Sequence, residues 1–334
     1  MAFESFNHVP KILFFQGKGK TMCRRTYRSI FSVIFLFCLG LGSHPASGAI
    51  IYVDDDNTAG PWDGTALNPY QYIQHGINAA VSGIDAIEVA PGIYKEAIDF
   101  HGKAVRLYSS GGSGVTTING TGHCHVVQCV SGEDPNTILE GFTITGGNAN
   151  GASAPDNCGG GMHNSGSSPT VKNCTFRFNT AFYGGGISNS NSSPTVIGCQ
   201  FNMNCTNDGT PGTGDGEDGG QGGNGAGMYN KYSSPTLFRC TFSENETGAG
   251  GDGAYSDWDN GGDGGNGGNG AGLVNTAGSS PVVTDCTFTK NTTGNGGNGG
   301  RNGDRYDPIF GSHSIGGGGD AAPGCSIQAV PRRP

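Results

Sequence analysis

In the second half of the chain, apolar residues recur at fixed points of a repeated unit, with no helical period between them. Four copies occupy residues 159–179, 184–204, 225–245 and 270–291. Each opens on Gly-x-Gly-apolar, sets an Asn two residues on, passes Ser-Ser-Pro and a short apolar strand, and closes on Cys-x-Phe-x-x-Asn. The Cys anchors, Cys174, Cys199, Cys240 and Cys286, are 25, 41 and 46 residues apart. A Phe follows each two residues later, which puts Cys and Phe on one face of a strand. Met162, Ile187, Met228 and Leu273 supply a second inward point, and Val171, Val196, Leu237 and Val283 a third.

A unit of this size cannot bury its apolar points alone, so the copies must stack. Short strands parted by Gly, Asn and Ser-Pro turns, three inward points to a turn, predict an all-β fold: a single-stranded right-handed parallel β-helix. Equivalent residues would then lie about 4.8 Å apart, Phe on Phe. Asn164, Asn189, Asn230 and Asn275 predict one Asn ladder at a bend, and Asn179, Asn204, Asn245 and Asn291 another. Asn is suited to a left-handed corner and can bond the coil above.

The first half extends the scheme. Residues 137–147 read as an earlier coil, with Phe142 and Ile144 in the places of Cys174 and Phe176. Residues 86–100 and 103–110 read as strands. Ahead of them, Ile73, Ile77 and Val81 have helical spacing and predict an N-terminal helical cap of about three turns over the open edge of the first coil.

The chain begins differently. Arg24, Arg25 and Arg28 precede an apolar run, and small residues follow at 45–49, the pattern of a secretory leader over residues 1–49. Met22 marks an alternative start, with residues 1–21 as an extension. The apolar run is short for a membrane span, and none follows it. These features predict export to the cell surface or beyond, with the β-helix over residues 50–293 and a Gly-rich tail over 294–334. Removal of the leader leaves 12 basic and 26 acidic residues, a net charge of −14. Such a chain is unsuited to nucleic acid. Nine of the eleven cysteines remain. The four in register read as buried thiols, whereas Cys124, Cys129, Cys158, Cys205 and Cys325 are the disulfide candidates.

Two Gly/Asp-rich insertions, 207–224 and 249–269, explain the longer spacings and leave the coil at one corner. They bring Asp215, Asp218, Asp252, Asp257, Asp259 and Asp263 to one side, as candidate Ca²⁺ ligands on Gly loops. The same composition also describes solvated low-complexity loops. Tyr255 and Trp258 are candidates for a sugar-stacking platform there. His123, Cys124, His125 and Cys129 have metal-like spacing, but strand alternation separates them. Arg177, Glu244 and Lys290 are scattered over different coils, as on a solvated strand face.

Residues 50–56, the helix, residues 87–100, 102–107 and 116–120 together resemble the start of the pectin-lyase-like right-handed β-helix superfamily. The Gly-Gly-x-apolar and Phe-x-x-Asn pairs resemble those of polymorphic outer-membrane proteins, which are β-helical surface adhesins. The first resemblance implies the fold but not one activity, since lyases, hydrolases, esterases and adhesins share it. The polygalacturonase and pectin esterase motifs are absent, and no pectate lyase site can be placed. The expected function is therefore a non-catalytic exported protein that binds a polysaccharide or cell-surface partner, with Ca²⁺ as a candidate cofactor. A polysaccharide lyase or hydrolase acting on uronate polymers is the alternative, and a structural stalk the third.

Overall fold

The computed structural model describes residues 48–256 and 260–301. The expected leader before residue 48, the tail beyond residue 301, Cys325, Asp257, Trp258 and Asp259 lie outside the described residues. Apart from one helix, α1 (Ile73–Ala79), the regular elements among the described residues are short strands in four all-parallel sheets. The eight-stranded sheet runs from Ile50–Val53 to Val282–Thr284, the seven-stranded one from Gly92–Tyr94 to Thr287–Thr289, and the six-stranded one from Ile98–Asp99 to Leu273–Thr276. A three-stranded corner sheet comprises Asn148–Ala149, Thr180–Ala181 and Cys205–Thr206. The chain visits the sheets in rotation, one coil per circuit. This is a right-handed parallel β-helix, the hand that parallel crossovers take almost without exception.

The repeat explains the register. Phe176, Phe201, Phe242 and Phe288 pair in successive strands, with ring centroids 5.2, 4.4 and 4.7 Å apart and planes within 6° of parallel. The first three are fully buried, as are Val171, Val196, Leu237, Met162, Ile187 and Met228. Each of these inward side chains therefore meets another apolar one in the adjoining coils, and a stacked aromatic pair adds about 0.5–1.5 kcal/mol beyond area burial.

The polar ladders run beside this core. Asn164 Nδ2 donates to Asn189 Oδ1 at 2.8 Å, and Asn189 to Asn230 in the same way. In the second ladder Asn204 Nδ2 donates both to Asn245 Oδ1 (3.0 Å) and back to the Phe176 carbonyl (2.9 Å). The left-handed corner falls elsewhere than expected. At the second ladder it is taken by the residue before each Asn, Phe178, Met203, Glu244 and Lys290, with φ between +51° and +55°; further left-handed positions fall before each repeat Cys (Asn173, Gly198, Arg239, Asp285) and after the first ladder (Gly166, Asn191, Tyr232, Ala277). The Asn stays inside to bond, and the preceding residue turns the chain. Left-handed backbone costs an L-residue about 1–2 kcal/mol, and bonds such as Phe178 N–H to the Met203 carbonyl (3.2 Å) hold it.

The Ser pairs form ladders as well. Ser167 N–H donates to Ser192 Oγ and Ser192 N–H to Ser233 Oγ, while Ser193 N–H reaches the other way to Ser168 Oγ. Glu133, buried at the head of this row, accepts from Ser167 Oγ (2.7 Å) and from the N–H groups of Gly102 and Ser131. Despite its burial, these bonds hold its carboxyl below the usual range.

Helix α1 closes the first coil. Ile73 and Ile77 are fully buried, and Gly76 lies against the side chains of Val53 and Ile87. The helix is shorter than its sequence pattern predicts: it ends at Ala79, and Val81 is exposed. Two side chains from the coils beneath finish its ends. Glu96 accepts from Ile73 N–H (2.7 Å) and Gln74 N–H (3.0 Å), and Lys103 Nζ donates to the carbonyls of Ile77, Asn78 and Ala80. An anion at the start and a cation at the end complement the helix dipole.

Cys174, Cys199 and Cys240 are free buried thiols, and burial raises Cys240 to about 11. Among the described disulfide candidates, Cys205 is bridged. Cys124, Cys129 and Cys158 are free thiols, contrary to the off-register reading. Cys129 fails as a candidate because it is itself in register, paired with Asn164 and fully buried.

The insertions are not solvated loops. They leave and return as extended legs, approximately 208–213, 218–224, 248–255 and 261–269, and a fifth leg, 294–301, follows the last coil. Every third residue bonds sideways. Gly209 and Gly212 N–H donate to the carbonyls of Ala249 and Asp252, Gly250 and Gly253 to those of Asn295 and Asn298, and Gly219 and Gly222 to those of Asp263 and Asn266. The first, third and fifth legs thus form one layer, and the second and fourth another. Across the layers Gly220 donates to Thr210, Gly251 to Gly220, Gly265 to Gly251 and Gly297 to Gly265, all at 2.7–2.8 Å. The three-residue period is that of polyproline II, and Gly at the crowded axis is the collagen solution. A Cβ on Gly251 or Gly265 would overlap a carbonyl oxygen of the facing leg.

Candidate functional site

The insertion corner and the outer face of the six-stranded sheet each offer a concavity. On the bundle, Pro211, Asp215, Asp252 and Tyr255 border an open depression of about 550 Å³. Three of the sequence candidates, Asp215, Asp252 and Tyr255, are therefore brought together. Asp218 and Asp263 lie on the other layer, where Asp218 Oδ1 accepts from Asp263 N–H at 2.8 Å. Asp252 Oδ1 accepts from Asn298 N–H and Asn298 Nδ2. These carboxylates tie one leg to the next. Among the described residues no group of three or more His, Cys, Asp or Glu is placed to hold a metal ion; Asp257 and Asp259 lie outside them.

The second concavity was not read from the sequence. Along the six-stranded sheet Met162, Ile187 and Met228 point inward, so their neighbours His163, Ser188 and Tyr229 form an outward row in register. Ser165, Ser190 and Lys231 form the next outward row. Tyr183, from the corner before Gly184, and the Ala154–Pro155 turn wall a cleft of about 420 Å³ over these rows. That volume is in the range of small-ligand sites.

Tyr183 and Tyr229 lie side by side, centroids 4.9 Å apart and tilted by 39°. Burial raises the Tyr183 hydroxyl, so it is a neutral donor. At the back, His163 is 5% exposed and stacks on His125, centroids 4.9 Å apart. Burial, then the neighbouring His125, pushes His163 down to about 4, so it is neutral at ordinary pH. Its Nδ1 is buried and has no hydrogen-bond partner among the described residues. His125 Nδ1 lies 3.1 Å from the Gly159 carbonyl. Cys158 also lines the cleft, its thiol raised by burial and thus protonated. Lys231 is exposed and forms no ion pair among the described residues.

The signal for this cleft was present in the copies. In Gly-x-Gly-apolar-x-Asn-x, the inward residues repeat while the two outward ones change, from His and Ser to Ser and Ser, then Tyr and Lys. Variation confined to one face of a constant scaffold marks the face free of packing constraint. Arg177, Glu244 and Lys290, on the seven-stranded face and its corner, do not join it; Lys290 Nζ pairs with Glu244 at 3.2 Å.

No family model matches the chain, and no curated protein matches it. Among solved structures, pectin methylesterase from carrot matches at 13% identity over 71% of this chain and 82% of that one, with a TM-score of 0.33. A likeness this distant says nothing of activity.

Proposed function

We propose that this chain is an exported β-helical protein of the cell surface or extracellular space, and that it binds a glycan in the outer cleft of the six-stranded sheet. The observation that carries this reading is the cleft itself: two adjoining tyrosines and a row of Ser hydroxyls on rigid strands. Aromatic faces with fixed hydroxyl and amine donors are what a polyhydroxylated ring requires. A site built on strands is held more firmly than one on loops. The leader pattern and the net charge of −14 after its removal support export over a nucleic-acid role. No described helix is long and apolar enough to cross a membrane.

The test is retention of the purified chain on immobilised neutral and acidic polysaccharides, with and without Ca²⁺, alongside an assay for new reducing ends. Retention without cleavage, lost in Tyr183→Ala and Tyr229→Ala, supports the reading. Cleavage would replace it with an enzyme. Failure to bind any polymer would leave a protein-binding or stalk role. The Ca²⁺ arm addresses the bundle depression, where Asp215, Asp252 and Tyr255 are the residues to substitute if Ca²⁺ alters retention.

A further inference from the structure

The two ends of the coil stack are finished differently. Helix α1 closes the first coil, with Ile73 and Ile77 fully buried. Beyond the last coil, formed by Leu273–Thr276, Val282–Thr284 and Thr287–Thr289, no described strand follows. Phe288 is 47% exposed and Val283 43%, whereas Phe242 and Leu237, their counterparts one coil back, are 0% exposed. A depression of about 450 Å³ opens on this face, lined by Ala271, Leu273, Phe288 and Asn291 among others.

Each part of that face continues an interface the molecule has already built. One coil earlier, Phe242 stacks on Phe288, Asn245 N–H and Nδ2 donate to Asn291 Oδ1, Cys240 N–H donates to Cys286 Sγ, and Thr241 pairs with Thr287. On the outer face the N–H groups of Asn291 and Cys286 have no acceptor among the described residues. In every earlier coil of the repeat the Asn N–H meets the Asn side-chain oxygen of the next, and the Cys174 and Cys240 N–H groups meet the next Cys sulfur. Unpaired strand edges beside an uncovered aromatic ring form a template for strand addition.

We propose that this face is a coil acceptor: it takes one further β-coil, in parallel register, from a partner polypeptide that carries Cys-x-Phe-x-x-Asn. The partner's Phe would cover Phe288, and its Asn side chain would accept from Asn291 N–H. A second copy of this chain does not fit head to tail, because α1 occupies the complementary end. The partner is therefore a repeat-bearing segment whose first coil is uncapped.

The experiment uses the full chain and a fluorescein-labelled peptide of residues 184–207, the shortest natural coil. Saturable one-to-one binding by anisotropy is expected, weakened about tenfold or more by Phe288→Asp in the chain. The same loss is expected for a peptide carrying Phe201→Asp. Peptide occupancy should also slow maleimide labelling of the partly exposed Cys286 but not of the exposed Cys124. Phe288→Asp could perturb the last coil by itself; the peptide variant and the Cys286 protection decide the matter without it. No binding, equal binding of a scrambled peptide, or binding that emerges only after the chain is cut behind Arg301 would overturn the proposal. The last result would mean that the chain covers its own end.

Discussion

The coil stack and the glycine bundle meet the same demand, that every backbone group find a partner while copies pile on one another, by opposite means. In the coils, side chains fill the interior, and identity matters: Phe on Phe, Asn on Asn, Ser on Ser. In the bundle nothing fills the interior, because the legs approach until carbonyl oxygens occupy the space a Cβ would need. The coil thus depends on what its residues carry, the bundle on what they lack. Length follows from this difference. Coils keep a fixed circuit, whereas the legs and the turns joining them vary in length, which is how spacings of 25, 41 and 46 residues coexist in one register.

The comparison can be broken most severely from the coil side. Phe242→Asp places an unpaired charge between stacked rings. More than about 4 kcal/mol should be lost and the cooperative transition abolished, as read by a circular dichroism melt. A normal melt would show that the ring does not face inward.

Gly265→Ala attacks the other side. Its new methyl would overlap the Gly220 carbonyl oxygen, so the bundle should open and residues 207–269 become sensitive to limited proteolysis. The coil transition should stay within about 1 kcal/mol of wild type, because few coil contacts are touched. Joint loss of both would mean that bundle and coils form one cooperative unit.

Asn204→Ala is intermediate. It removes donors to the Phe176 carbonyl and Asn245 and an acceptor for Asn179. Leaving buried groups unpaired should cost about 2–4 kcal/mol by chemical denaturation.

Glu133 gives the smallest and most conditional effect. Its carboxyl is held below its usual value of 4.5 in the folded chain. The stability it contributes is therefore present above the unfolded pKa and lost as pH falls through the folded one. Glu133→Gln should lower stability by a constant amount above about pH 4.5 and make its fall below that pH shallower, as measured by urea titrations across pH.

The sequence pattern made the coils legible because packing constrains them: Cys174, Phe176 and Asn179 recur in each copy since each must match its neighbour. The site was less legible for the same reason. His163, Tyr229 and Lys231 point outward, match nothing in the other copies, and look like noise until the strands are in register. Tyr255, Asp215 and Asp252 are legible because carboxylates and an aromatic stand out against glycine. The bonding of the legs to each other is not legible, since composition alone does not distinguish a solvated Gly tract from a bonded one. Val81 illustrates a third limit: it continues the helical spacing, but Lys103 closes the helix from another coil, beyond the reach of any local pattern.

The cross-layer bonds of the bundle have a direction. Gly220 donates to Thr210, Gly251 to Gly220, Gly265 to Gly251 and Gly297 to Gly265, so the cross-layer N–H groups reach back to a leg already made, while the in-layer ones wait for the leg to come. A chain emerging N-terminus first from a ribosome or a translocation pore would find each cross-layer acceptor waiting. The bundle is thus suited to being laid down in order, as a weave is, and not to condensing from a finished thread. Chains halted after Asn224 should already hold the first two legs together. Protease protection should then advance leg by leg as the stopping point moves towards Arg301.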